Sequence, residues 1–290
     1  MEQHHGSAII TTVSALRQRV AEWKAMGEKV ALVPTMGALH EGHISLVQAA
    51  RGRNARVVTS IFVNPTQFSP TEDFSKYPRT FENDCAMLAA AKNDVVFAPN
   101  PAEMYPDGFA TTVSLRGPAK AGLEDAFRPT HFDGVATIVA KLFAQSRPDI
   151  AIFGQKDYQQ LMVVSRMARD LDLGVEVIGA PTMREKDGLA MSSRNRYLSV
   201  AERIKAVLVP DSLKAAIAQM KAGVAPNDAA SRAAAKLAAA GYDVDYVAVR
   251  HADTLNAIAT DTVMTASNQP LRILVAAKIG NTRLIDNMAV

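Results

Sequence analysis

The chain of 290 residues contains a single cysteine, Cys85, and no long basic tract. One cysteine excludes an intramolecular disulfide and any Cys-x-x-Cys redox or zinc motif, so we expect a reducing, cytoplasmic setting. The net charge of only +3, without a basic tract, argues against nucleic acid as a partner. No apolar run reaches the length of a membrane span, so we also expect no membrane as a partner.

Two common nucleotide-binding motifs are missing as well. The sequence has no Gly-x-x-x-x-Gly-Lys-[Ser/Thr] stretch, which excludes a Walker loop. No Gly-x-Gly-x-x-Gly follows the first apolar strand, which argues against a dinucleotide fingerprint. If the chain binds a nucleotide, a different motif must hold the phosphates.

What is present is an alternation of apolar strands with helical segments over the first 180 or so residues. Such an alternation predicts a parallel sheet with helices on both faces, an α/β fold. After Pro181-Thr182 the order changes to helices followed by strands, which is typical of an α+β domain. We therefore predict an N-terminal domain over residues 1–181 and a smaller α+β domain over residues 182–290. The predicted strands of the first domain are Val30–Val33, Arg56–Val63, Asp94–Ala98, Ile150–Phe153 and Val175–Ile178.

The stretch Pro34–His43 lies between the first of these strands and a predicted helix. A glycine-rich turn at the carboxyl end of a strand is where open α/β sheets bind ligands. His40 and His43 are three residues apart at the helix start, so both imidazoles could donate to phosphate oxygens. Gly42 between them lets a ligand approach the backbone closely. The alternatives are two ordinary surface histidines or a zinc site, although no clear further ligand set accompanies them.

Two basic segments are further candidates for a phosphate site. Lys156 lies in Gly154–Asp157, at the end of a strand and the start of a helix, and a lysine is a point charge suited to phosphate. Asp157 either caps that helix or contacts a ribose or a metal. Met191–Arg194 offers two hydroxyls and a guanidinium for a triphosphate, but such a composition is also common in solvated loops.

Four polar residues are candidates for the remaining substrate contacts. Gln67 and Gln160 each combine a donor and an acceptor, which suits a substrate with hydroxyl and carboxylate groups, but both are equally compatible with simple solvent exposure. Arg128 either reaches an anionic group or is exposed. Asp84, on a predicted helix, either faces a metal-bound phosphate or is a solvated helical acid.

Several separated motifs, in this order, resemble those of the pantoate–β-alanine ligase (pantothenate synthetase) family. The histidine motif alone would indicate only the wider nucleotidylyltransferase-like superfamily with its His-x-Gly-His signature. The resemblance extends from about residue 8 to the end of the chain. Its motifs are Pro34–Gly37 with His40–His43, Ser60–Phe68, Tyr77–Thr80, Met104–Pro106, Arg128–Phe132, Phe153–Leu161, Asp187–Asn195 and Leu284–Asn287.

This resemblance implies a Rossmann-like N-terminal domain, a C-terminal domain that forms a lid over the active site, and a homodimer. It also implies a reaction in two steps. ATP and pantoate first give pantoyl adenylate and pyrophosphate, and the amine of β-alanine then attacks the activated carbonyl to give pantothenate and AMP. The family uses Mg²⁺.

The resemblance also implies roles for individual residues. Gln67 and Gln160 would hold pantoate, with Gln67 also near β-alanine, and His43 matches the residue described as the proton donor. Two positions depart from the family pattern: Gln155 stands where Glu is common, and Asn83 replaces an acid found in some relatives. The implied ATP contacts are Met36, Gly37, Ala38, Leu39, His40, Glu41, Gly42, His43, Gly154, Gln155, Lys156, Asp157, the backbone of Met183, Met191, Ser192, Ser193 and Arg194.

Elementary electrostatics indicates what catalysis requires in such a reaction. A carboxylate must approach an anionic phosphate, so positive groups such as Lys156, Arg194, the two histidines and Mg²⁺ must neutralise the charge. No protein nucleophile is needed, because positioning and electrostatics supply the rate. Two alternatives remain: a related nucleotidylyltransferase that keeps its nucleotidyl product, and a non-catalytic nucleotide-binding protein of the same fold.

Overall fold

The computed structural model describes residues 2–4, 6–68, 74–259 and 269–290. By their internal contacts these residues divide into two compact units. The main segment of the second unit begins at Thr182, and two short segments from earlier in the chain also belong to it. The first unit comprises residues up to Leu115, Thr130–Gln155 and Val163–Pro181, and the second comprises Arg116–Pro129, Lys156–Met162 and Thr182–Val290.

The first unit is built on one sheet whose strand order is β1-β2-β5-β4-β3-β6-β7. The strands are β1 (Glu2–His4), β2 (Ser7–Ile10), β3 (Lys29–Thr35), β4 (Ala55–Ile61), β5 (Val95–Phe97), β6 (Ile150–Gly154) and β7 (Glu176–Ala180). Strand β1 pairs with β2 in antiparallel fashion, and all the other pairs in this sheet are parallel. The prediction of a parallel α/β sheet is therefore confirmed.

Helices alternate with these strands and continue into the second unit. Helix α1 packs against α6, and α2 packs against α3. The helices are α1 (Val13–Ala25), α2 (Glu41–Arg51), α3 (Phe81–Ala90), α4 (Pro101–Met104), α5 (Glu124–Phe127), α6 (His131–Ser146), α7 (Tyr158–Asp170), α8 (Val200–Ala206), α9 (Leu208–Lys221) and α10 (Pro226–Ala239). Short 3-10 helices span Pro65–Gln67, Gly117–Lys120, Gln155–Asp157 and Ser193–Tyr197.

Local sequence signals explain where α1 begins and ends. The Thr12 side chain accepts a hydrogen bond from the backbone N–H of Ala15, which satisfies one of the free donors at the helix start. Leu16 and Trp23 are buried at helical spacing, so this face of the helix packs on the core. Gly27, at φ +75°, lies in the left-handed region just after the helix ends. A threonine cap, apolar residues at helical spacing and a following glycine predict a helix here from the sequence alone, and the structure confirms it.

The position of β3 within the sheet determines where a ligand site can form. Strand β3 pairs with β4 on one side and with β6 on the other. The strands that follow β3 are therefore added first on one side of it and then, from β6 onwards, on the other side. In open α/β sheets the crevice at this switch point, beyond the carboxyl ends of the strands, is the usual ligand site. The turn after Thr35 and the carboxyl end of β6 at Gly154 both lie at this edge of the sheet.

The second unit has an antiparallel sheet of three strands in the order β10-β9-β8. These strands are β8 (Asp243–His251), β9 (Leu271–Ile279) and β10 (Thr282–Ala289). Helices α9 and α10 bury Leu213 and Leu237 against Val249 and Val275 of the sheet. The predicted α+β character of this region is confirmed.

None of the helices in the described residues is both long enough and apolar enough to cross a membrane.

Candidate active site

The turn that follows β3 is fixed by its own backbone and by one threonine. The hydroxyl of Thr35 donates to the carbonyl of Ser60 at 2.7 Å and accepts from the N–H of Gly37 at 3.2 Å. Gly37 has φ +79°, and a Cβ there would lie 3.1 Å from Asp84 Oδ2. Ala38 also has a positive φ, of 51°, which costs an alanine conformational energy. A strained turn of this kind persists only because the surrounding contacts hold it.

Asp84 supplies the strongest of these contacts. Its Oδ2 accepts from the N–H of Ala38, and its Oδ1 accepts from the N–H of Leu39, both at 2.9 Å. Thr80 Oγ1 also donates to Oδ1 at 2.9 Å. Only 1% of Asp84 is exposed. A buried carboxylate that accepts three hydrogen bonds is a structural anchor, because each charge-assisted bond holds the turn in place.

This finding corrects one expectation from the sequence. Asp84 is not a solvated helical acid, since both of its oxygens are bound to the turn and to Thr80, while its role at a metal-bound phosphate stays a prediction. The sequence also predicts that Thr80 caps the following helix; Thr80 is indeed the N-cap residue of α3, but its side chain makes no cap hydrogen bond. The hydroxyl orients Asp84 instead.

The two histidines of the motif cap α2 reciprocally. His40 is the N-cap residue, and its Nδ1 accepts from the N–H of Gly42 at 3.1 Å. His43 Nδ1 accepts from the N–H of His40 at 3.3 Å. The helix therefore begins at Glu41, whereas the sequence pattern predicts a helix from His43 to about Arg53, two residues later. A histidine pair replaces the usual Ser/Thr–Glu capping box, which is why the sequence signal was missed.

The capping bonds also determine which ring nitrogen carries the proton. Because each Nδ1 accepts a backbone hydrogen, the neutral rings of His40 and His43 carry their hydrogens on Nε2. The ring centroids are 4.1 Å apart, so two Nε2–H donors are held side by side at the N-terminus of a helix. Helix N-termini favour anions. Reciprocal capping thus places both rings where an anion would bind, and their role as phosphate ligands stays a prediction.

Zinc binding by these histidines also finds no support. Among the described residues, no group of three or more His, Cys, Asp and Glu side chains is arranged to hold a metal ion. Cys85 is buried in the core, and burial raises the pKa of its thiol.

Gln67 is held by a buried asparagine to which sequence analysis assigned no role. Asn64 Nδ2 donates to Gln67 Oε1 at 3.2 Å, while Asn64 Oδ1 accepts from the hydroxyls of Tyr105 at 2.8 Å and Thr66 at 3.0 Å. Gln67 Nε2 in turn donates to Met36 Sδ at 2.8 Å. The side-chain amide of Gln67, a candidate substrate contact, is therefore oriented by this hydrogen-bond network and contacts Met36 in the turn after β3.

Helix α6 packs directly against the backbone that carries Gln67. His131 Nδ1 lies 2.9 Å from the carbonyl of Gln67. A Cβ on Gly134 would come within 2.4 Å of the carbonyl oxygen of Thr66, so only glycine permits this approach. Asn64 Nδ2 also donates to the Gly134 carbonyl at 3.2 Å. Only the structure reveals this contact, because Gly134 and Thr66 are far apart in the sequence.

The candidates after β6 differ in how their side chains are used. Gln155 Nε2 donates to the carbonyl of Gly179 on β7 at 3.1 Å, a bond that a glutamate at this position could not make. Lys156 Nζ lies 3.7 Å from Asp157 Oδ1 in a partly exposed pair. Lys156 thus keeps a cationic head close to the surface, as a phosphate ligand requires.

The adjacent glutamines at the start of α7 have different environments. Gln159 is buried and its amide is fully used: Oε1 accepts from the N–H of Glu124, and Nε2 donates to the Pro118 carbonyl and to Asp125 Oδ1. Gln160 is half-buried, and its side chain makes no hydrogen bond to any of the described residues. This difference favours Gln160, rather than Gln159, as the residue that binds a ligand.

The segment from Met183 to Arg194 is an ordered hairpin that continues into a 3-10 helix. Arg184 and Ala190 form an antiparallel bridge, and Gly188 occupies the turn with φ +92°. Ser192 Oγ accepts from the N–H of Arg194 at 3.3 Å and so caps the 3-10 helix. The sequence composition suggested a mobile or solvated loop, whereas the structure gives this segment defined secondary structure.

Arg128 belongs to a buried charge network in the second unit. Its Nη1 lies 3.6 Å from Glu124 Oε2, and Arg283 makes a bidentate pair with the same carboxylate at 2.7 and 2.8 Å. Burial raises the pKa of Glu124, but the hydrogen bonds and charge of Arg283 outweigh it and lower the pKa to about 2. Only 15% of the Arg128 side chain is exposed, so the alternative of a freely exposed arginine is wrong.

The fold and the turn together define a class of protein. A parallel α/β sheet whose switch point carries a His-x-Gly-His helix start is characteristic of the nucleotidylyltransferase-like nucleotide-binding proteins. The family follows from comparison with known sequences: the model of the pantoate-beta-alanine ligase family matches residues 8–289. The chain belongs to this family.

Individual relatives resemble the chain over nearly their whole length. It is 57% identical to a pantothenate synthetase of Bradyrhizobium sp., covering 97% of this chain and 98% of the relative. A solved pantothenate synthetase of Thermus thermophilus is 46% identical, with a TM-score of 0.89 and coverage of 97% and 98% of the two chains. A solved pantoate-beta-alanine ligase of Francisella tularensis, complexed with beta-gamma ATP and beta-alanine, is 31% identical, with a TM-score of 0.80 and coverage of 98% and 97%.

Proposed function

We propose that this chain condenses pantoate with β-alanine at the expense of ATP, giving pantothenate, AMP and pyrophosphate through a pantoyl-adenylate intermediate. Family membership sets the reaction class. The observation that carries the proposal is the pair of Nε2–H donors on His40 and His43, held at the N-terminus of α2 by reciprocal capping. This arrangement suits a phosphate chain that gains negative charge as it leaves.

In the first step, a pantoate carboxylate oxygen attacks the α-phosphorus of ATP, and the bond to pyrophosphate breaks. The attack requires neutralisation of like charges, which Lys156 and Arg194 supply, while the histidines donate hydrogen bonds to the departing pyrophosphate. We assign the proton-donor role to His43. The remaining ATP contacts that we propose are Met36, Gly37, Ala38, Leu39, Glu41, Gly42, Gly154, Gln155, Asp157, Met183, Met191, Ser192 and Ser193.

Pantoate carries hydroxyl groups as well as a carboxylate, and we propose that Gln67 and Gln160 recognise them. The Gln67 amide is oriented by Asn64, which lowers the entropic cost of binding a ligand there. Gln160 retains its amide for a ligand. Arg128 is proposed to contact an anionic group of the substrate, with part of its charge already balanced by Glu124.

In the second step, the β-alanine nitrogen attacks the acyl carbon of the adenylate, AMP leaves, and the amine loses a proton. The adenylate is a mixed anhydride that water would hydrolyse, so the site must exclude water during its lifetime. The lid role of residues 182–290 stays a prediction from the family resemblance, as do the homodimer and the cytoplasmic location.

Magnesium is proposed to arrive as part of the MgATP substrate. The described residues contain no ready cluster of metal ligands, and Asp84 is engaged by the backbone of the turn. The phosphates of ATP would then hold the ion, which would supply part of the charge neutralisation that the first step needs.

The experiment that tests this proposal measures AMP release by the purified protein with ATP, Mg²⁺, pantoate and β-alanine, omitting each in turn. We expect AMP release in the complete mixture and pantoate-dependent exchange between ATP and pyrophosphate without β-alanine. Retention of the nucleotidyl group in the product would instead indicate a nucleotidylyltransferase. No turnover in the complete mixture would indicate a non-catalytic nucleotide-binding protein.

A further inference from the structure

Two proposed phosphate-binding elements of the second unit are far apart in the chain. Lys156 lies just before α7, whereas Arg194 follows the hairpin that begins near Met183. Both must act on the same phosphate chain if the proposed function holds, so their relative placement matters for the rate. The contacts of strand β10 indicate how that placement is achieved.

Asn287 on β10 holds the backbone at Lys156. Its Nδ2 donates to the Lys156 carbonyl at 2.8 Å. Its Oδ1 accepts from Arg272 Nη1, and the Arg272 guanidinium lies 3.7 Å above the ring of Tyr158. Because arginine can only donate, Oδ1 must face Arg272 and Nδ2 must face the carbonyl, which determines the amide orientation. Asn287 is only 3% exposed, so water does not compete for these bonds.

The neighbouring residue of the same strand holds the hairpin. Asp286 forms a bidentate pair with Arg184, with Nη1 at 2.7 Å and Nη2 at 2.9 Å from its two oxygens. Arg184 Nη1 also donates to the carbonyl of Gly188 in the hairpin turn at 3.0 Å. The guanidinium of Arg184 therefore makes hydrogen bonds both within the hairpin and to β10. The Asp286 side chain is 2% exposed, which makes the pair a buried one.

Side chains of successive strand residues point to opposite faces of a sheet. Asp286 and Asn287 can therefore hold two different elements at a separation set by one peptide unit of a rigid strand. Sites supported by regular elements are more precise than sites supported by loops alone. A strand that only stabilised the fold would not need two buried polar side chains, each directed at an element that carries a candidate phosphate ligand.

We propose that Asp286, acting through Arg184, and Asn287, oriented by Arg272, are positioning residues that hold Lys156 and the Met183–Arg194 hairpin in register for the triphosphate of ATP. The proposal rests on the proposed function. Lys156 and Arg194 remain the residues that contact the substrate. The residues of β10 act only through them.

The test compares purified full-length variants in pantoate-dependent ATP–pyrophosphate exchange and in the complete reaction. Asn287→Asp keeps an acceptor for Arg272 but loses the donor to the Lys156 carbonyl. We expect its exchange rate at saturating substrates to fall at least about tenfold, in keeping with the sensitivity of catalysis to small misplacements. The KM for β-alanine should change less than twofold, since that substrate enters after the first step.

Arg184→Lys provides a second, independent variant. Its ammonium keeps the charge near Asp286 but cannot reproduce the planar fork that also reaches the Gly188 carbonyl. We expect a rise of at least about threefold in the KM for ATP. Ile285→Val, which removes one methylene from the same strand, is the matched control and should keep both constants within twofold of the wild type while its melting temperature falls slightly.

Each outcome has a separate meaning. Wild-type protein that releases no AMP in the same assay would overturn the proposed function itself. Active wild type, with Asn287→Asp and Arg184→Lys both within twofold of it in exchange rate and in the KM for ATP, would overturn only the positioning role. The network would then serve stability alone, which the melting temperatures would register.

Discussion

The histidine turn of the first unit and the proposed phosphate-binding elements of the second are held in different ways. The turn is fixed by backbone N–H groups that converge on the single carboxylate of Asp84, and its histidines cap their own helix. Lys156 and the hairpin at Arg184 are held by side chains of β10, more than one hundred positions further along the chain. One region thus depends on backbone geometry and the other on long-range polar pairs.

This difference teaches which kind of change each region tolerates. A backbone-based site fails when a turn loses its anchor or when a glycine gains a side chain. A site based on side-chain pairs fails when one charged partner is removed, because the other is left buried and uncompensated. Three substitutions separate these behaviours, beginning with the one for which we expect the largest effect.

Glu124→Gln tests the charged interior of the second unit. Removing the charge from a buried pair with Arg283 should lower the free energy of unfolding at neutral pH by about 3–5 kcal/mol. The pKa of Glu124 is lowered from 4.5 to about 2 in the folded protein. The contribution of the Glu124 charge to the free energy of unfolding is therefore complete above about pH 4.5 and is lost as the pH falls towards 2. Urea unfolding between pH 7 and pH 3 measures this dependence.

Between pH 7 and pH 3 the free energy of unfolding of the wild type should fall by more than that of Glu124→Gln. Glu22→Gln, at an exposed residue that pairs with Arg19 on the surface of α1, is the control and should retain the wild-type pH dependence. Parallel curves for wild type and Glu124→Gln would contradict the account of this network.

Asp84→Asn tests the backbone-based turn. An amide can present only one acceptor oxygen, so one of the N–H groups of Ala38 and Leu39 would lose its partner. Loss of a hydrogen bond to a buried charge costs about 1.5–3 kcal/mol, and thermal unfolding without ATP or Mg²⁺ measures it. The KM for ATP should rise as well. A variant of unchanged stability whose only defect is a weaker Mg²⁺ dependence would favour the metal role that the sequence suggested for Asp84.

Gly134→Ala tests the close contact beneath Gln67. The added methyl would meet the Thr66 carbonyl oxygen at 2.4 Å, so the 3-10 helix that ends at Gln67 must shift. We expect a loss of about 1–3 kcal/mol in stability and a larger rise in the KM for pantoate than in that for ATP. Gly52→Ala is the matched control, since its Cβ would make only ordinary contacts, at 3.5 Å from the Gln48 carbonyl. An equal rise in both Michaelis constants would contradict the link to Gln67.

The same contrast explains what could be predicted from the sequence. The parallel sheet, the α+β region and the position of the histidine turn follow from periodicity and from local motifs, so they were accessible. The start of α2 was less accessible, because a histidine pair caps this helix, and the hydrogen bond from Thr80 to Asp84 was not predicted either. A cap is a local signal only when the usual residue types provide it.

Long-range pairs left no such signal. Glu124 and Arg283 are 159 positions apart, and Asn287 lies 131 positions from Lys156. Neither periodicity nor composition indicates that these side chains meet, so the grouping of Arg116–Pro129 and Lys156–Met162 with the second unit became visible only in the structure. The roles of Asn64, Gly134 and Asp286 escaped sequence reasoning for the same reason.

The central claim is that the chain activates the pantoate carboxylate by transferring AMP to it. The most direct measurement follows oxygen-18 from the labelled carboxylate of pantoate through the complete reaction. Attack of that carboxylate on the α-phosphorus predicts one labelled oxygen in the phosphate of the AMP released, and none in pyrophosphate. Label in inorganic phosphate together with ADP, or AMP without label, would contradict an adenylate intermediate and with it the proposed function.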